Sequence, residues 1–206
     1  MSTVRNRLIL LSVAAATVGL ALAGCGKSSG TDAGAVSSSG EALVGGPFQL
    51  VDQNGKPTDQ GVLKGKWSAV FFGYTYCPDV CPTTMQALAG AEAKLGDRAR
   101  NLQVVFISVD PARDTPAQMK TYLSTPAFPK DAIGLTGTPD QVAAAAKAYR
   151  VYYQKQGEGE GYSVAHSSIV YLMNPAGKFV TALTESQTPS EVATQIGDAM
   201  NGGAKG

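Results

Sequence analysis

The chain has 206 residues, 17 Lys and Arg against 16 Asp and Glu, and a formal net charge of +1, a length that fits one domain with tails, since domains run at roughly 100–200 residues. Hydrophobic residues make up 44% and charged residues 16%; the second figure lies well below the usual ~25% and excludes a charge-rich disordered chain. The near-neutral balance argues against a nucleic-acid binder, which needs a basic surface, and with one His among 206 residues any histidine chemistry falls to His166.

The chain opens with Arg5 and Arg7, then Leu8 to Leu22 without a charge, then Leu22-Ala23-Gly24-Cys25. A basic start, a short apolar run and small residues make a secretory signal. The run falls short of the ~20 residues that cross a bilayer comfortably, and an uncleaved transmembrane anchor is the alternative. Leu-Ala-Gly-Cys resembles the bacterial lipobox. That resemblance implies a signal peptide over residues 1–24 and lipidation of Cys25 as the first residue of the mature chain. Acyl chains there hold a protein at a membrane, each buried CH₂ contributing about 0.8 kcal/mol. Residues 25–45 are expected to be this lipidated Cys and a flexible linker, because the Gly/Ser/Ala-rich run after it has no aromatic and cannot bury enough apolar surface to offset its ordering entropy. Gly26-Lys27-Ser28 looks like the end of a phosphate-binding loop, but the glycine required five residues earlier is Ala21.

The folded domain is expected over residues 46–201, with 202–206 as a disordered tail. Phe48 to Asp52 followed by Asn54-Gly55 reads as a strand entering a tight turn, the start of an N-terminal β-hairpin extension. Ala69 to Tyr74, Leu102 to Val109 and Ser168 to Leu172 are short apolar runs of the kind buried strands show. Lys178 to Thr181 follows the turn Asn174-Pro175-Ala176-Gly177 and closes a hairpin with the last of them. Three helices start alike, at Thr115-Pro116-Ala117-Gln118, Thr138-Pro139-Asp140-Gln141 and Thr188-Pro189-Ser190-Glu191. Each has Thr at the N-cap, Pro at the first helical position and Gln or Glu at the third, the pattern of a capping box. A fourth helix is expected after Pro82, with Met85, Leu88, Ala89 and Leu95 at helical spacing and Glu92 interrupting the stripe. Strands alternating with helices give an α/β fold, a central sheet covered on both faces.

The chemistry lies in Tyr74-Thr75-Tyr76-Cys77-Pro78-Asp79-Val80-Cys81-Pro82. Two thiols straddle a helix start, where the partial positive charge favours thiolate. Such cysteines suit disulfide exchange or soft-metal binding. A structural disulfide is the bland alternative, though so short a loop constrains the unfolded chain little. His166 precedes the Ser168–Leu172 strand, and in a thioredoxin-like order of elements that loop faces the cysteine pair. Thioredoxins carry a cis-proline there; this chain has Val164-Ala165-His166-Ser167. Cys77, Cys81 and His166 form an S₂N set. Thiolates select Cu(I) and imidazole also suits Cu(II), whereas zinc prefers a fourth ligand. Among weaker candidates, Asp79 is positioned to orient partners or raise a thiol pKa. Arg113 is read as an ion-pair partner of Asp110 or Asp114, at the strand end where sites of open α/β sheets lie. Gly157 to Gly161 reads as a hairpin tip, either a lid beside His166 or a solvated loop.

Phe71 to Thr84 (FFGYTYCPDVCPTT), Ile107 to Thr115 (ISVDPARDT) and Leu135 to Thr138 (LTGT) closely resemble the Sco/SenC family, over about Pro47 to Met200. The resemblance implies a thioredoxin-like fold, a central mixed sheet flanked by helices. It implies copper, as Cu(I) or Cu(II), held by Cys77, Cys81 and His166, with the two cysteines also a redox-active pair that can close a disulfide. The implied role is to deliver copper to, or prepare the thiols of, the dinuclear copper centre of cytochrome c oxidase, not turnover catalysis. The partners implied are the oxidase subunit carrying that centre and another copper chaperone or a thioredoxin-like reductant. The setting implied is a bacterial membrane reached through the lipid anchor, with the domain on the periplasmic or extracytoplasmic side. Two departures stand out: Tyr76 where many members have His, and Ala165 where many have Asp. A thiol–disulfide oxidoreductase without copper transfer is the competing reading; dedicated oxidoreductases carry Cys-x-x-Cys, and they do not need His166. A peroxiredoxin-like peroxidase fits less well, since Thr75-Tyr76-Cys77 lacks the Thr-x-x-Cys spacing.

The anchor is testable. Cys25→Ser is expected to release the protein from membranes on fractionation; unchanged membrane association would show that the apolar segment itself holds it there.

Overall fold

The structure, a computed structural model, describes residues 44–202. The expected signal peptide, Cys25, most of the linker and residues 203–206 lie outside the described residues.

The central sheet grows from two buried strands, β3 (Trp67–Gly73) and β4 (Leu102–Ser108), which run parallel with Phe71 beside Phe106. All seven residues of β3 are buried, and only Gln103 of β4 is partly open, so both sheet faces are covered there, as continuous apolar strands require. Around this pair lie β1 (Gln49–Asp52), β2 (Pro57–Asp59), β5 (Ile133–Thr136), β8 (Val170–Met173) and β9 (Phe179–Leu183). The strand order is β2-β1-β5-β4-β3-β8-β9. β4 and β5 are parallel, while β1, β2, β8 and β9 pair antiparallel with their neighbours. This is the expected mixed sheet, with the N-terminal hairpin built into its edge. The hairpin turn is fixed by the Asp52 carboxylate, which accepts from the backbone N–H groups of Asn54 and Lys56 at 2.8 and 2.9 Å, and by Gly55 at φ 81°, a conformation natural to glycine.

The parallel connections are helical. α1 (Val80–Leu95) joins β3 to β4, and α2 (Pro116–Leu123) joins β4 to β5. α3 (Pro139–Ala148) follows β5, and α4 (Pro189–Gly202) closes the described chain. α1 packs on α4, α2 on β5 and α3 on β1. Phe72, Tyr149 and Tyr171 form one aromatic cluster, with centroids 5.3 to 6.4 Å apart. Phe71 meets Phe106 at 5.8 Å, and Phe106 meets Tyr122 at 5.5 Å. Successive strand residues point to opposite faces, so Phe71 and Phe72 serve different layers.

Several expectations are corrected. α1 begins at Val80, ahead of Pro82; a proline is tolerated in the first turn because its missing N–H has no intrahelical partner there. Two of the three Thr-Pro starts form reciprocal capping boxes, at Thr138/Gln141 and Thr188/Glu191. At α2 the Thr115 hydroxyl accepts from the Gln118 backbone, but the Gln118 side chain donates instead to Thr75 Oγ1 at 3.2 Å. The hairpin tip expected at Gly157–Gly161 joins β6 (Tyr153–Gln156) to β7 (Ser163–His166) in a separate two-stranded antiparallel sheet, and β5 is a further strand outside the expected set. His166 is therefore the last residue of a strand. At the boundaries, Gly45 donates its backbone N–H to the Ala148 carbonyl at 3.0 Å, satisfying a helix-end acceptor inside the expected linker. Gly202 still belongs to α4, a shift within the usual play of a helix end.

Thr138→Ala removes one half of a complete capping box and is expected to cost about 1 kcal/mol of stability. The measurement is the urea midpoint at unchanged m-value; an unmoved midpoint would show that the box contributes nothing.

Candidate metal centre

The site starts from the end of β3. Phe71 and Gly73 share one strand face. A Cβ on Gly73 would lie 2.7 Å from the Cys81 Sγ and 3.0 Å from the Phe106 ring, so the thiol occupies the space that a side chain would fill. The chain then turns, with the Cys77 N–H donating to the Tyr74 carbonyl at 3.2 Å, and α1 begins. Cys81 is fully buried in the first turn of α1. Cys77, just outside the helix, is half-buried and accepts the Cys81 backbone N–H at 3.4 Å.

His166 comes from a different body, the β6–β7 hairpin. Its ring stands edge-on to Phe71 and Tyr74, centroids at 6.1 and 5.8 Å. Nδ1 lies 3.0 Å from the Ser167 carbonyl oxygen; a carbonyl can only accept, so Nδ1 carries the hydrogen and donates. Nε2 is thereby turned to the sulfurs, 3.4 Å from the Cys81 Sγ. Fixing one ring nitrogen by a hydrogen bond is how a ligating histidine is oriented. The Cys77, Cys81 and His166 ligand atoms all lie within 4.8 Å of one another, and they are the one such cluster among the described residues.

The two thiols differ in character. A hydrogen bond from the Cys81 thiol, the largest influence, draws the Cys77 pKa down to about 3, helped by His166 and the backbone of Cys81 and Asp79 against the opposing effect of burial. Cys81 moves the other way, pushed up by its hydrogen bond to Cys77 and by burial. One sulfur is thus an accessible thiolate and the other a buried thiol, both unbridged. The Asp79 backbone helps to lower the Cys77 pKa, while its carboxylate accepts no backbone N–H at the head of α1.

The residues supporting this site were largely missed. Tyr74 takes part through its ring, which meets His166 edge-on, and through its backbone, which opposes the rise of the Cys81 pKa. Asp114 is buried and pairs with no cation. It accepts from the Thr75 hydroxyl at 2.7 Å, the Thr75 N–H at 3.2 Å and the Ser108 hydroxyl at 2.6 Å, pinning the backbone two residues before Cys77. Burial raises its pKa while those bonds resist the rise. The ion pair anticipated for Arg113 is with Asp110, Nε to Oδ2 at 2.6 Å. Tyr76, at the family's frequent His position, is 54% exposed, and Ala165 lies beside Gln154 in the hairpin.

A mixed sheet flanked by helices, with two thiols at a helix head facing one imidazole, defines a thioredoxin-like protein with a soft-metal or thiol-redox site. The chain belongs to the SCO1/SenC family, whose model matches residues 36–201. It is similar to SCO2 of Saccharomyces cerevisiae mitochondria, 45% identical over 148 residues, 70% of this chain and 48% of that one. It is also similar to SenC of Rhodobacter capsulatus, 44% identical over 161 residues, 77% of this chain and 72% of that one. The chain spans about half the length of the yeast relative. The copper-bound structure of ScoI from Bradyrhizobium japonicum superimposes with a TM-score of 0.68 at 44% identity, covering 75% of this chain and 98% of that one.

Because the thiolate is the nucleophile, a Cys77 pKa of about 3 predicts a flat alkylation rate across neutral pH, falling only as pH drops toward that value. Mass spectrometry after iodoacetamide pulses is expected to find the label on Cys77 and not on Cys81. A rate that climbs tenfold per pH unit between 6 and 8, as an ordinary thiol shows at roughly these pH values below its pKa of ≈ 8.5, would contradict the assignment.

Proposed function

We propose that this chain binds one copper ion as cargo through Cys77, Cys81 and His166, tethered to a membrane by lipidated Cys25. In that position it delivers copper to, or prepares the thiols of, the dinuclear copper centre of cytochrome c oxidase. The observation that carries this reading is the imidazole: a separate hairpin brings Nε2 to 3.4 Å from a buried sulfur with Nδ1 already engaged. Disulfide exchange needs no such group. The donor set suits copper, since thiolates take Cu(I) and imidazole extends the site to Cu(II). The copper-bound state of the similar ScoI supports the same choice. Loading requires both sulfurs reduced and deprotonated, so copper displaces the Cys81 proton, and a closed Cys77–Cys81 disulfide has no lone thiolate to offer.

A second reading has its own observation, the pairing of an accessible low-pKa thiol with a buried partner. As a thiol–disulfide oxidoreductase, the Cys77 thiolate attacks a partner disulfide, breaking its S–S bond and expelling one partner thiolate. Cys81, losing its proton, then attacks the mixed disulfide and releases the second. The partner gains two electrons, and this chain ends as the Cys77–Cys81 disulfide, to be reduced again by a dithiol reductant.

Copper titration of the reduced protein is expected to find one ion bound, with tight binding abolished in Cys77→Ser and Cys81→Ser. His166→Ala is expected to weaken Cu(II) more than Cu(I), because two thiolates suffice for Cu(I). Equal Cu(II) affinity in wild type and His166→Ala removes His166 from the site. In cells, His166→Ala should depress oxidase activity while leaving reduction of a model disulfide nearly intact, and added copper should restore part of the loss. Normal oxidase assembly in that mutant at low copper would sink delivery and leave the reductase reading.

A further inference from the structure

We propose that Arg113 is a positioning residue that holds the His166 hairpin against the cysteine loop, and so supports the Cu(II) affinity of the site while leaving its Cu(I) affinity unchanged. This rests on the copper-binding reading above. His166 belongs to the two-stranded sheet, which makes no strand pairing with the seven-stranded one. The base of the hairpin is closed by Ser167 N–H donating to the Tyr152 carbonyl and by Tyr152 N–H donating to the Ser167 hydroxyl, at 3.0 and 3.3 Å. Its far end needs another hold, and Arg113 reaches it.

The Arg113 guanidinium donates through Nε and Nη1. Nε donates to Asp110 Oδ2 at 2.6 Å. Nη1 donates to the backbone carbonyls of Tyr162 at 3.0 Å and Glu160 at 3.3 Å. Its Cζ lies 3.6 Å from the Tyr162 ring centroid, 4.7 Å from Tyr76 and 5.7 Å from Tyr74. Nη2 is buried without a hydrogen-bond partner, so the guanidinium leans on the Asp110 ion pair and on the ring faces around it. Asp110 completes the clasp by accepting the Tyr162 hydroxyl at 2.6 Å on its other oxygen. One side chain therefore touches the loop that carries Cys77, through Tyr74 and Tyr76, and the hairpin that carries His166, through Tyr162 and Glu160. Tyr74, beneath it, is itself the edge contact of His166.

The consequence is selective. Both sulfurs lie on the β3–α1 segment and keep their places when the hairpin loosens; the imidazole does not. Cu(I) needs only the sulfurs, whereas Cu(II) gains from the nitrogen. Loss of an outer partner that orients a ligand costs ~10–100-fold in metal affinity, and here that loss should fall on Cu(II) alone. Lysine keeps the charge but has neither the fork nor the plane, so it should not substitute.

The test is Cu(I) and Cu(II) titration of the full-length protein as wild type, Arg113→Gln, Arg113→Lys, His166→Ala and the Arg113→Gln/His166→Ala double variant. Both Arg113 variants should lose about tenfold or more in Cu(II) affinity with Cu(I) affinity within threefold of wild type, and their Cu(II)–thiolate absorption should move toward that of His166→Ala. In the double variant the Arg113 change should cost nothing further, since its effect passes through the imidazole. Wild-type Cu(II) affinity in either Arg113 variant, equal losses for both oxidation states, or additive losses in the double variant would overturn the proposal. If wild type binds no copper, it is the copper-binding reading that fails. Should Arg113→Gln not fold, Tyr162→Phe, which loses only the hydroxyl bonded to Asp110, is expected to show the same split at smaller amplitude; wild-type affinities in it overturn the proposal equally.

Discussion

The Cys81 sulfur occupies the space above Gly73, 2.7 Å from where a Cβ would stand. Much of the site follows from that close approach. It lets the first turn of α1 settle on the end of β3, which buries Cys81 completely and leaves Cys77 at the helix head with a backbone N–H directed at its sulfur. It also fixes what lies beside the sulfur, because Phe106, the strand neighbour of Phe71, closes the same space. A larger residue at 73 would have to displace the thiol or the ring, and a close-packed interior yields little to either.

From this packing comes the difference between the thiols. Buried with its proton, Cys81 donates to Cys77, and that bond is the largest cause of both the low Cys77 pKa and the high Cys81 one. The helix head adds its partial positive charge on the Cys77 side. Asp114 sits behind the pair as a buried carboxylate, and its negative field raises the Cys81 pKa further. Such a carboxylate is costly unless its oxygens are satisfied; Thr75 and Ser108 satisfy them, and in doing so they lock the loop that carries Cys77.

What the sequence revealed and what it hid divide along physical lines. β3 and β4 were legible because Ala69 to Tyr74 and Leu102 to Val109 are continuous apolar runs, the mark of strands buried on both faces. The cluster of Cys77, Cys81 and His166 was legible because its residue types are so few. β6 and β7 were legible only through their glycine-rich tip, since Tyr-Gln-Lys-Gln and Ser-Val-Ala-His carry no apolar alternation, and a surface hairpin needs none. β5 is four residues long with Gly134 inside it, too short for a period to show. The roles of Asp114 and Gln118 were hidden for another reason. Local spacing pointed Asp114 at Arg113 and Gln118 at Thr115, but their actual partner, Thr75, lies 39 and 43 residues away, and a contact of that range leaves no trace in spacing.

The site is therefore assembled from two bodies of unequal firmness. The sulfurs stand on a segment wedged between sheet and helix, whereas the imidazole arrives on a separate two-stranded sheet, held by ring edges and by polar contacts at the far end of the hairpin. Dispersion between ring edges is weak contact by contact, while the buried sulfur is confined by everything packed around it. On the proposed reading, this inequality suits a protein that must give its metal up. A cage of three equally rigid donors would bind tightly and release slowly. On that reading, a firm thiol pair with one donor on a separate hairpin would open a coordination position to an incoming ligand while both sulfurs stay in place.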